Sequence, residues 1–167
     1  MILRLSQRLA RKIQLDPFPE LPLNHHPCAD WSCRLFVAQR TEYIIMSNTA
    51  SMYSCVMPGR EIVNRDYFLA RLLQAMGQFL IADQQQHAYR RLLATTIEDV
   101  TFAKAPNRSV MASMADHVHG SKLFLSDGLA ADEVGVRLNN TPMRVLIDSA
   151  GRRYARPREV FERLSLS

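Results

Sequence analysis

Asn107-Arg108-Ser109 stands just ahead of a run with helical periodicity that carries Asp116, His117 and His119. The start of a helix offers unpaired backbone N–H groups, so an arginine and a serine beside them make a natural anion site. A phosphate or carboxylate held by Arg108 and Ser109, with His117 or His119 as acid or base, would describe a small enzyme acting on an anionic substrate held at the start of a 109–124 helix. Distance argues against a single site. Asp116 and the histidines lie about 10 Å further along the axis at about 1.5 Å per residue, and a folded-back loop would be needed to join them. The competing expectation is that Asn107 and Ser109 are helix caps and that the later residues form a polar face.

Two further groups of residues have the types for chemistry. His25, His26, Cys28 and Cys33 offer nitrogen and sulfur ligands, yet zinc usually takes two close pairs set apart by a longer spacer, and Cys33 falls inside a predicted strand facing the core. The expectation is a solvated His-Pro loop with buried thiols, no metal and no cofactor. The second group is arginine-rich. Arg152, Arg153, Arg156 and Arg158 surround Tyr154, and a basic run with an interleaved aromatic can hold backbone phosphates and stack a base. Arg4, Arg8 and Arg11 form another basic segment at the N-terminus. No Ser-His-Asp arrangement follows from spacing, and the glycines are too scattered for a phosphate loop.

Composition sets the class. The chain has 167 residues, 47% hydrophobic and 22% charged, which suits one domain over 1–167 with a real core. The net charge is +5 and the pI about 9.4, with lysine only at positions 12, 104 and 122. Arginine bias fits a nucleic acid or an acidic protein as partner, and it fits a GC-rich genome equally well. Cys28, Cys33 and Cys55 are an odd, irregular set that argues against a disulfide framework and for a reducing, cytoplasmic setting. No apolar run is long enough to span a bilayer, so no membrane partner is expected. The basic N-terminus resembles a transit peptide, but Leu5, Leu9 and Ile13 recur at helical spacing and point to an ordinary amphipathic helix.

The elements that must position these residues begin with Met1–Leu5 as a candidate strand and a helix over 6–14 capped by Ser6. Asp16-Pro17 and the prolines at 19 and 22 then require an extended connection. Residues 31–57 read as a three-stranded meander led by Trp31, with Trp31, Cys33, Leu35 and Val37 as its better core face. Trp31 is expected to be buried against Leu35 or the Phe68 helix. Asn64 should cap the strongest helix, and residues 84–94 a second one. A fourth strand fits about 99–105, ended by Pro106. Val134–Leu138 and Met143–Ile147 are short apolar runs around an Asn-Asn-Thr-Pro break, and Pro157 opens a closing helix. The expected fold is α+β, an antiparallel sheet with helices on one face.

Four stretches in order, Met1–Leu9, the Trp31 meander, Asn107–Asp116 and Arg137–Pro142, resemble the bacterial family DUF6933 over nearly the whole chain. The resemblance implies a small cytoplasmic α+β protein and brings no activity with it. The leading functional expectation is therefore a non-enzymatic binding module. Its anionic partner would meet a basic surface of Arg4, Arg8, Arg11, Arg152, Arg153 and Arg156.

Overall fold

A computed structural model describes residues 1–15, 18–93, 100–105 and 107–166. Its centre is a five-stranded sheet built from β1 (Ile2–Leu5), β2 (Asp30–Ala38), β3 (Thr41–Asn48), β4 (Ser54–Pro58) and β5 (Thr101–Lys104), in the spatial order β4-β3-β2-β1-β5. The meander over 31–57 is antiparallel as expected, with Trp31 opposite Asn48 and Met46 opposite Cys55. The sheet as a whole is mixed, which corrects the antiparallel expectation. β1 lies between β2 and β5 and runs parallel to both, pairing Leu3 with Trp31 on one side and with Phe102 on the other. Parallel neighbours need a crossover, and α1 (Gln7–Lys12) belongs to the connection from β1 to β2. Asp99 and Pro106, the ends proposed for the fourth strand, lie outside the described residues, as do the Asp16-Pro17 break and Ala94.

Helices cover both faces of the sheet, not one. On the Trp31 face, Leu3, Cys33, Ile44, Cys55 and Phe102 meet Leu9 and Ile13 of α1, and Phe68, Leu72 and Met76 of α2 (Arg65–Ala82). Ala88 of α3 (Gln86–Leu93) and Phe161 of α6 (Pro157–Leu166) complete that layer. On the opposite face, Phe36, Ile45 and Val56 meet Met114 and Val118 of α4 (Arg108–Ser126) and Val134 and Leu138 of α5 (Ala131–Asn140). A small ribbon of β6 (Met143–Ile147) and β7 (Arg153–Ala155) closes this second layer with Met143, Leu146 and Ala155. Most of β2 is thus buried on both sides, as in a covered sheet, except that Val37, expected on the core face, lies exposed near the end of the strand.

Local chemistry matches these elements. Asn64 Oδ1 accepts from Tyr67 N at 2.9 Å and starts α2, and Ser6 Oγ accepts from Leu9 N to start α1. Trp31 is 1% exposed; its indole N–H donates to Cys28 O at 2.8 Å and its ring meets Phe161 edge-on at 5.7 Å. Phe161 also stacks on Tyr53 at 4.3 Å, so the last helix seals the first core. Residues 131–140, read from sequence only as an apolar run and a break, are the helix α5. Glu133 Oε2 accepts from the Ala130 backbone at its start, and Gly135 brings it against β4. No described helix is long and apolar enough to cross a membrane.

Candidate functional site

The start of α4 is occupied by the protein itself. Asn107 Oδ1 accepts from Ser109 N at 3.1 Å and Val110 N at 3.2 Å, so these two N–H groups of the first turn already have a partner. Arg108 and Ser109 are exposed, His119 is exposed, and His117 is buried more than two turns along. The fold therefore sets the exposed Arg108 and Ser109 at the helix start apart from the buried His117.

His117 instead belongs to a buried polar network. Its Nδ1 lies 2.9 Å from Ser54 Oγ, which contacts Met52 O at 2.8 Å and Ser47 Oγ at 2.6 Å. A serine hydroxyl has one proton to give; here it goes to the Met52 carbonyl, so Ser47 Oγ–H and His117 Nδ1–H both donate to Ser54 Oγ. That fixes the tautomer and leaves Nε2 a bare acceptor, the one buried side-chain nitrogen or oxygen among the described residues without a partner. Burial holds the imidazole down to about 4, so it is neutral at ordinary pH. Asn139 clasps the Ser54 backbone on both sides, accepting from its N–H at 2.7 Å and donating to its carbonyl at 2.9 Å. Ser54 and Asn139 are 85 positions apart, and neither carries a sequence signal that links them to His117.

The basic residues divide. Arg4 is not a surface residue: it is 3% exposed, bonded through Nε and Nη2 to Asp30 at 2.8 Å and to the carbonyls of Leu21 and Pro22. Burial pushes the Asp30 carboxyl up, and hydrogen bonds from Arg4, Thr49 and the Asn24 backbone more than reverse this, so its pKa is lowered. This pair anchors the crossing from β1 to β2. Arg8 and Arg11 are exposed on α1, in the Trp31-face layer and at the end of the sheet where β1 stops. Arg152, Arg153 and Arg156 are exposed on and beside β7, in the opposite layer, and the α6 that follows them packs at the end where β2 starts. The two basic segments thus belong to different layers of the fold.

The ribbon itself has a distinctive outer surface. Val145 is 54%, Ile147 55% and Tyr154 60% exposed, with Arg144, Arg152 and Arg153 exposed among them. Tyr154 stands at φ 72°, a left-handed conformation that a bulky side chain rarely adopts. Asp148 organises the turn, accepting from Ala150 N and Arg152 N at 2.8 Å each and from Arg152 Nε at 2.9 Å; these bonds, the Arg152 backbone first, hold its carboxyl below the usual range. Arg156 reaches Glu159 at 3.4 Å between exposed side chains.

The His-Cys stretch is split by the fold. His25 and His26 are exposed beside a cavity of about 430 Å³ that Cys28 and Arg91 also line. Cys33 lies in the core, where burial raises its thiol pKa, and Cys55 is raised for the same reason. Among the described residues no group of three or more His, Cys, Asp or Glu is placed to hold a metal.

A mixed sheet covered on both faces, with a small two-stranded ribbon on its outer layer, defines an α+β fold. The chain belongs to the family DUF6933, described as a domain of unknown function, whose model matches residues 2–160. No curated protein matches it.

Proposed function

We propose that this protein is a non-enzymatic binding module whose anionic partner is a nucleic-acid strand, contacted by the β6–β7 ribbon. The observation that carries the reading is Tyr154, exposed and held at φ 72° between the exposed Arg153 and Arg156. Backbone strain in a bulky residue persists only where surrounding structure imposes it, and it concentrates at functional surfaces. An aromatic face beside planar guanidinium groups can stack a base while the arginines meet the flanking phosphates. The ion pairs of Arg152 and Arg156 join mostly exposed groups, so phosphates can displace the carboxylates at little cost. Val145 and Ile147 add apolar surface to the same ribbon. Three cysteines without disulfides suit a cytoplasmic setting for such a partner.

The other reading, a small enzyme for a phosphorylated or carboxylated substrate, has only His117 Nε2 in its favour. An imidazole held near 4 is a weak base, and the helix start meant to hold the anion is capped by Asn107.

Binding is measured by anisotropy with a labelled single-stranded oligonucleotide across a salt series. Tyr154→Ala should weaken binding by about 1–3 kcal/mol, the usual value of one stacked base. Arg153→Ala should lower the slope of log affinity against log salt by about one. Arg8→Ala should change neither. Binding to an acidic polypeptide but to no DNA or RNA would move the partner to an acidic protein, and no salt-dependent binding to any of them would end the proposal.

A further inference from the structure

In the order β2-β1-β5 the strand β1 has a parallel neighbour on each side. β1 and β5 are parallel neighbours that end together, Leu5 beside Lys104. From Leu5 the chain turns into α1 on the Trp31 face, and from Lys104 it continues into α4 on the other face. When the continuations of adjacent parallel strands part to opposite faces, a crevice is left outside the carboxyl ends of the strands, and open α/β sheets hold ligands there. A cavity of about 470 Å³ opens at this place, between Leu5, Gln7, Ala10, Arg11, Phe18 and Lys104. Such a volume is within the range of small-molecule sites, roughly 300–1,000 Å³.

The lining separates by chemistry. Leu5 and Ala10 are buried and Phe18 partly so, which gives an apolar floor. Arg11 and Lys104 bring two cations to the rim. The Arg11 guanidinium has no ion pair or hydrogen bond among the described residues. Lys104 Nζ is 3.2 Å from Glu20 Oε1, but the two side chains are 54% and 82% exposed, and a pair so exposed is held weakly. An apolar floor under one cation without a partner among the described residues and one that is weakly paired selects a ligand with an apolar body and one anionic head.

We infer that this crevice is a binding site for a small organic carboxylate with an apolar body, its head between Arg11 and Lys104 and its body along Leu5, Ala10 and Phe18. The site is separate from the ribbon and stands or falls without it. The test is titration calorimetry on the full chain with three probes: decanoate below its micellar concentration, decanol, and inorganic phosphate. Decanoate should bind well ahead of both others, since only it satisfies floor and rim together. Arg11→Gln and Lys104→Gln should each weaken decanoate about tenfold, the value of one charge-assisted hydrogen bond, and leave decanol unchanged. Gln7→Trp, at an exposed position, should block decanoate by filling the mouth without disturbing the core. Tyr154→Ala should leave decanoate binding intact. Decanol binding as tightly as decanoate, indifference of decanoate to both charge substitutions, or no decanoate binding at low salt would each overturn the inference.

Discussion

At the scale of single residues, His117 is the group with the largest consequence for solution behaviour. Its folded pKa lies near 4 against an ordinary value of 6.5, because burial disfavours the charged ring. A depressed folded pKa means that the unfolded chain takes up the proton first. The contribution is therefore complete above about pH 6.5 and is lost as pH falls toward 4, on the order of 3 kcal/mol across that window. Urea unfolding at a series of pH values should show this loss in the wild type, and His117→Gln should flatten that part of the curve. An unchanged slope in the variant would show that His117 is not the group that titrates in that window. The type and position of His117 were plain in the sequence, but its burial was not. Helical spacing put it on the α4 helix, and only the approach of β4 decided that it faces Ser54 rather than water.

At the scale of elements, α5 depends on a close approach. A Cβ at Gly135 would lie 2.8 Å from the ring of Phe79 and 3.1 Å from Ser54 O. Phe79 is buried and in ring contact with Tyr53 at 5.8 Å, so it has no room to swing away. Gly135→Ala gains helix propensity in isolation yet should destabilise the protein by about 1–3 kcal/mol through overpacking. Adding Phe79→Leu should recover part of this in thermal unfolding; a fully neutral Gly135→Ala would show that α5 packs less closely on β4. The sequence hid this helix because its interior glycine lowers helix propensity, and the glycine is required by a contact that spacing cannot reveal.

At the scale of the whole molecule, the C-terminal helix holds together parts that are far apart in the chain. Phe161 stacks on Tyr53 and meets Trp31, while Arg158 bonds Asp83 at 2.6 Å and the Asp83 carbonyl at 2.9 Å, next to the hydrogen bond from Tyr53 Oη to Asp83. Burial, and then the Asp83 carboxylate, push the Tyr53 phenol up, so it stays a neutral donor. Phe161→Ala should cost about 3–5 kcal/mol, the usual penalty for emptying a buried aromatic site. Because Trp31 is the chain's single tryptophan, its emission should shift to longer wavelength in the variant. A small loss of stability with unchanged emission would mean that α6 is an appendage rather than a closing element.

The sequence by itself determined the local elements: the 31–57 meander, the Asn64 and Asn107 caps, the helix opened by Pro157 and the α+β class all follow from alternation, capping chemistry and helical spacing over neighbouring residues. It also carried the family, since the four stretches that resemble DUF6933 lie, but for Met1, within the residues 2–160 matched by that family. Tertiary structure alone decided that β1 is the central parallel strand, that both faces of the sheet are covered, and that Arg4 is buried on Asp30 while Arg11 is exposed. Alternation states that a strand exists but not which strand lies beside it, and an arginine has the same letters whether it is buried against a carboxylate 26 positions away or exposed to solvent. Pairing and charge compensation act between distant residues, and only the packed chain brings them together.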